Sequence, residues 1–187
     1  MRLTLSSEFV LNTVMTNESG QVLYRTSTPK FRLKGRSTTI YKVVPNTDPS
    51  DMQDRFETIG EIEWQMFGPA TMRLHGKEMN TNQFIPRHGV RGRKRTFTGP
   101  DGRPYRWDMR YTVVVLSDDD STRRELARSH RRSLGIIGPK REPSLEIHPD
   151  LMPILDTVVL TFVYVEKLRM EKAGKRKRGD VKVARDA

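Results

Sequence analysis

Four histidines, a run of three aspartates, a pair of alternating glutamates and several clusters of cations are the residues of this chain best equipped for chemistry. His75, His88, His130 and His148 stand far apart, and no two have the spacing at which paired ligands meet a zinc ion. Asp118, Asp119 and Asp120 offer hard oxygens, but they lack the alternating ligands, central glycine and closing glutamate of a calcium loop. They predict a solvated turn. Glu61 and Glu63 fall on the outward face of an alternating strand, which predicts solvation rather than general acid–base work. No nucleophile elbow, Walker loop or dinucleotide glycine pattern occurs. The absence of cysteine removes thiol nucleophiles, thiolate zinc sites, disulfides and palmitoyl anchors. Together these features predict a chain that is not an enzyme and holds no cofactor and no metal.

The cations point elsewhere. Lysine and arginine number 34 against 23 acids, a net charge of +11, and they are clustered. Arg87, Arg91, Arg93, Lys94 and Arg95 form one run with no acid among them. Arg123, Arg124, Arg128, Arg131 and Arg132 form a second. Between Lys167 and Ala187 nine cations face three acids, and Lys175, Arg176, Lys177 and Arg178 are consecutive. Such clusters attract phosphate. Arg87, Arg91, Arg93, Lys94, Arg95 and Lys175–Arg178 are therefore the candidate anion-binding residues. The expected partner is an anionic membrane surface or a phosphoinositide. The alternative is an intracellular protein-interaction or scaffold domain, with Lys175–Arg178 serving as a nuclear import signal. Nucleic acid has less support, because no aromatic RNA-binding pattern or recognition-helix motif accompanies the charge.

The 187 residues suit one domain with a sizeable core. Up to residue 148 the chain reads as short strands separated by turns roughly every ten positions, which argues for a sandwich or barrel. Leu11–Thr16 and Gln21–Thr26 flank the hairpin loop Asn17–Gly20, and Thr38–Val44 is β-branched. Ile62, Trp64 and Met66 alternate with polar residues, so all three are expected on a core face. Asn80–Gly92 predicts mostly loop. Arg93–Thr98 and Tyr105–Met109 are joined by the turn cluster Gly99–Gly102, and Tyr111–Leu116 is an apolar run expected of a strand covered on both sides. Glu125–Arg132 fits a short helix by capping-box spacing and an edge strand by context.

Leu151–Leu168 leaves no broad polar face. Asp150 can cap a helix there, Pro153 is tolerated in its first turn, and Lys167, Arg169 and Lys172 complement its C-terminal dipole. A helix apolar all round must be enclosed by protein or lipid. Asp156 interrupts the stretch near its start, so no transmembrane span is expected. The better solution is a helix surrounded by the preceding strands, with Asp156 at the rim or hydrogen-bonded. Residues 173–187, bracketed early by Gly174 and Gly179, are expected to form a flexible basic tail. The first nine residues lack an apolar signal core, which sets the expected location as cytoplasmic, nuclear or peripheral at membranes.

Many short strands followed by one hydrophobic helix resembles the tubby C-terminal and LURP-one-like superfamily, which includes the phospholipid scramblases. More closely, the chain is similar to an uncharacterised fungal domain family of that superfamily. The residues that carry the likeness are Thr38–Lys42, Ile59–Trp64, Arg95–Trp107, Ser144–Ile147 and Leu160–Leu168. The resemblance implies a mainly β fold: a closed antiparallel barrel of about twelve strands over residues 1–172, around a central hydrophobic C-terminal α-helix at about 151–172. It also implies that Glu125–His130 is a strand. Scramblases carry a Pro-rich arm, an acylated cysteine cluster and an acidic calcium stretch beside the last helix. This sequence has none of these, so the resemblance does not imply scrambling.

Overall fold

A computed structural model describes residues 1–29, 36–45, 54–89, 92–133 and 141–185, with side chains as far as residue 174. Short runs of β-branched and aromatic residues, cut by glycine and proline, form thirteen strands. They are β1 (Arg2–Leu5), β2 (Thr13–Thr16), β3 (Val22–Ser27), β4 (Arg36–Val44), β5 (Arg55–Trp64), β6 (Thr71–Leu74), β7 (Lys77–Asn80), β8 (Arg87–His88), β9 (Lys94–Thr98), β10 (Pro104–Met109), β11 (Val114–Asp118), β12 (Glu125–His130) and β13 (Ser144–Ile147). A single helical turn, α1 (Thr81–Phe84), lies between β7 and β8, and α2 (Leu155–Arg185) ends the chain.

All thirteen strands pair antiparallel in one sheet, and each neighbours its sequence successor except at one place. That place is between β7 and β8; β1 pairs with both β2 and β13, with Leu3 opposite Leu145, so the first strand lies beside the last. Glu125–His130 is a strand, as the resemblance implied.

Thr157–Glu166 explains the shape. All ten residues are buried. Successive helical positions advance 100°, so ten in a row face every direction, and α2 is covered on all sides for nearly three turns. The sheet therefore curls around it. Gly60 on β5 shows how close the approach is: a Cβ there would meet the Arg73 carbonyl at 2.9 Å and Leu160 of α2 at 3.3 Å.

Three expectations need correction. Among the described residues the strands number thirteen, and the hydrogen-bonded ladder does not close: β7 and β8 are its two edges. Both are short, and between them the chain folds α1, where Asn80 caps the turn by accepting from the Asn82 N–H. Asp150 does not cap the helix, because Pro149 and Pro153 draw Pro149–Ile154 into a 3₁₀ turn capped by His148. Nor does α2 stop near residue 172; its backbone is helical to Arg185. Among the described residues no helix is long and apolar enough to cross a membrane.

Candidate functional site

Because neighbouring strands are antiparallel, their connections alternate between two ends of the curled sheet. The two ends differ in charge. Where the buried part of α2 emerges, the connections and short hairpin carry Arg87, Arg93, Arg110, Arg131, Arg132 and Arg141 against Glu8 and Glu142. At the opposite end they carry Glu18, Asp54, Asp101, Asp119, Asp120 and Asp150 against Arg103, Arg123 and Arg124. Among the described residues one end is thus basic and the other acidic.

One stretch of α2 organises the basic end. Arg169, buried, donates from a terminal nitrogen to the Tyr111 carbonyl at 3.1 Å, and its guanidinium grips Glu166. Lys172 Nζ donates to the Gly92 carbonyl at 2.7 Å, fixing the β8–β9 hairpin. On the next face, a cleft of about 970 Å³ lies between the β5–β6 loop, Arg87, Arg95 and the helix residues Tyr164, Lys167 and Leu168. Its floor is aromatic: Trp64 and Tyr164 stack at 5.8 Å, with Lys167 Nζ 4.2 Å from the Trp64 ring centre and the Arg95 guanidinium 5.6 Å from that of Tyr164.

The predicted cations meet different fates. Arg87 is exposed, while Arg93, Lys94 and Arg95 are half-buried. Arg95 donates to the Ile85 carbonyl at 3.1 Å and covers Tyr164, so its role is partly structural. Burial lowers the Arg95 guanidinium from its ordinary pKa; Tyr164 opposes this, and the Arg87 charge adds the smallest push, downward. Burial, followed by the charges of Arg95, Arg93 and Arg87, lowers that of Lys172. Arg95 and Lys172 thus each feel neighbouring positive charge, and no carboxylate figures among the groups that shift these two. Arg91 and the side chains of Lys175, Arg176, Lys177 and Arg178 lie outside the described residues.

Two apolar residues of this end were expected in the core and are not there. Met66 is 88% exposed, as is Phe67, because β5 stops at Trp64 and the chain turns through Gly68 at a φ of +99°. Tyr111 is 54% exposed, because the Arg110 N–H bonds the Val113 carbonyl in a turn and β11 begins only at Val114. The sequence signal for the first was the Gly68-Pro69 pair directly after the apolar residues.

The acidic end holds Asp156, the carboxylate in the first turn of α2. Asp156 accepts from the Tyr24 hydroxyl at 2.6 Å and from Lys42 at 3.0 and 3.2 Å, with His75 Nε2 at 3.1 Å. His75 adopts a left-handed φ of +47° at the β6–β7 turn. Burial pushes the Asp156 pKa up, but the hydrogen bonds from Tyr24 and Lys42 and the nearby positive charges outweigh it, and the net shift is downward. The rim position and the partners anticipated for this residue are both present. A cavity of about 590 Å³ opens beside it, lined by Leu74, Met79, Phe84, Ile154 and Leu155. Since the folded pKa is the lower one, the stabilisation from Asp156 is present above pH 3.8 and is lost as pH falls below that through the folded value. Asp156→Asn should therefore cost about 1–3 kcal/mol at neutral pH. Urea titrations should show the gap to the natural chain narrowing on acidification; a constant gap would show that this ionisation does not matter.

The acidic triplet departs from its expected solvation. Asp118 is buried and bound by Arg103 at 2.7 Å and Arg124 at 3.3 Å, while Asp119 pairs with Arg106 at 3.1 Å. Only Asp120 caps a turn, through the Thr122 and Arg123 N–H groups. Glu61 and Glu63 do point outward, where both meet Arg73. Among the described residues no group of three or more His, Asp or Glu could hold a metal ion.

A family model described as "Family of unknown function (DUF6593)" matches residues 8–171. No curated protein matches the chain. The chain is similar to the X-ray structure of a protein from Arabidopsis thaliana, at 14% identity and a TM-score of 0.36, over 89% of this chain and 90% of that one.

Proposed function

We propose that this chain, which belongs to the DUF6593 family of unknown function, is a non-enzymatic binding module whose basic end meets anionic phospholipid headgroups. One observation carries the proposal: Arg87, Arg93, Arg95 and Lys172 share one end of the fold, while the acidic connections gather at the other. Mutually repelling cations are stabilised by a bound anion, and an end-to-end charge separation orients the molecule towards an anionic surface. Each cation near such a surface contributes about 1 kcal/mol, so a handful gives reversible attachment that salt screens.

The same proposal takes the curled sheet as a tubby-like cylinder, completed between β7 and β8 by α1 and side chains rather than by strand pairing. Support comes from the burial of Thr157–Glu166 on every side and from the six residues that join the two edge strands.

Flotation with phosphatidylcholine vesicles, with and without phosphatidylserine or a phosphoinositide, tests the reading. Recovery is expected with the anionic vesicles at low salt and should fall at high salt. Reversing two cations in Arg87→Glu/Arg93→Glu should weaken partitioning roughly 100- to 1,000-fold, since each reversal removes an attraction and adds a repulsion. Equal recovery on neutral and anionic vesicles would dismiss it.

A further inference from the structure

The large apolar side chains left in water are not scattered. Among the described residues five are strongly exposed: Phe9, Met66, Phe67, Tyr111 and Met152. Four of them occupy connections at the basic end, and only Met152 belongs to the acidic end. Three of the four share one side of the rim. The β5–β6 loop carries Met66 and Phe67, the β10–β11 turn carries Tyr111, and the cationic β8–β9 hairpin stands between them against α2. Phe9 lies in the β1–β2 loop around the other side of the helix, where Glu8 and Val10 approach Glu166 and Met170.

We infer that this side of the rim is a bilayer-insertion face: Phe67, Met66 and Tyr111 enter the boundary between headgroups and acyl chains, and Arg87, Arg93 and Lys172 sit between them at the level of the phosphates. The inference rests on the proposed phospholipid reading and specifies how that contact is made. The apolar residues project from separate loops with cations between, so they do not form the continuous apolar centre of a protein interface. Apolar anchors flanked by lysine and arginine are what an anionic interface accommodates, the anchors sinking a few ångströms while the charges remain with the headgroups. Both anchor loops are held by the folded core. Tyr111 is fixed through its carbonyl by Arg169, and the β5–β6 loop follows directly on Trp64, which is stacked against Tyr164. Anchors on ordered loops lose little freedom on insertion. The acidic end, with Glu18, Asp54 and Asp150, faces away from the membrane in this arrangement.

The chain has no cysteine, so single cysteines report each position cleanly. An environment-sensitive fluorophore placed through Phe67→Cys, Tyr111→Cys, Phe9→Cys or Asp120→Cys is titrated with phosphatidylcholine–phosphatidylserine vesicles, and depth is read with brominated lipids. Blue shifts and quenching are expected at 67 and 111 and not at 9 or 120. In the unlabelled chain the uncharged replacement Phe67→Ser should weaken vesicle affinity about tenfold or more, the share expected of one partly inserted ring. Its salt dependence should stay unchanged, and Phe67→Leu should retain most of the binding. Vesicle binding with unshifted probes at 67 and 111, or with equal shifts at 9 or 120, would overturn the insertion face and leave the phospholipid reading standing. No binding to anionic vesicles would overturn both.

Discussion

Trp107→Ala is expected to lower the stability of the fold by about 3–5 kcal/mol, the usual cost of emptying a large aromatic site in a core. For a chain of this length that is a fall in Tm of roughly 6–20 °C. Trp107 is fully buried in β10, opposite Leu116 of β11 and Arg95 of β9. Its ring lies 6.2 Å from that of Phe162 on α2, and its indole N–H donates to the Thr161 hydroxyl at 3.1 Å. One side chain thus joins the sheet to the enclosed helix. Collapse cannot refill the space, because β10 is held on both sides by paired strands and α2 is covered all round. Trp107→Phe should cost distinctly less. It restores most of the volume, and Thr161 keeps its bond to the Thr157 carbonyl at 2.8 Å. Chemical unfolding followed by circular dichroism measures both variants. A loss under 1 kcal/mol for the alanine variant would mean that the helix is not clasped as described.

Much of this packing was legible in the sequence because periodicity reports burial. Ile62 and Trp64 alternate with Glu61 and Glu63, and the former face the core while the latter meet Arg73. The lack of a polar face on Leu151–Leu168 required an enclosure, and Thr157–Glu166 has one. Met66 and Tyr111 show the limit of that signal. Each continues an apolar pattern in sequence, yet a turn formed by Gly68 in one case and by Arg110 with Val113 in the other releases it into water. Periodicity does not say where a strand stops. Asp118 fails for a different reason: its arginine partners come from residues 103 and 124, on two separate turns, and only the folded chain brings them together. The same holds for the site. The cations between Arg87 and Arg95 were visible as a run, but Lys172 reaches them only because α2 threads the sheet and emerges beside their hairpin. Strand-edge identity was hidden as well, since α1 sits where the residues between Asn80 and Gly92 predicted mostly loop.

Glu166→Ala should be as damaging as the loss of the indole, at about 3–5 kcal/mol, and for an electrostatic reason. Glu166 and Arg169 are both buried on the last enclosed turn of α2, paired through two contacts of 2.5 and 2.8 Å. Removing the carboxylate leaves a guanidinium out of water, bonded to the neutral Tyr111 carbonyl at 3.1 Å, and a buried charge without its counter-charge costs far more than a missing contact. The paired replacement Glu166→Leu/Arg169→Met separates this penalty from packing. It fills a similar volume without charge and should return the stability to within about 1–2 kcal/mol of the natural chain, or exceed it. If the double variant were as unstable as Glu166→Ala, shape and not charge would be the cause. Recovery would leave a second difference to measure. The apolar pair no longer holds the Tyr111 carbonyl, so the β10–β11 turn loses its anchor to the helix while the core remains intact. A fluorophore at position 111 should then insert into anionic vesicles less deeply than in the natural background, whereas one at position 67, on a loop this pair does not touch, should be unaffected. On that outcome a buried ion pair that adds little net stability is retained because it orders a loop at the membrane-facing rim.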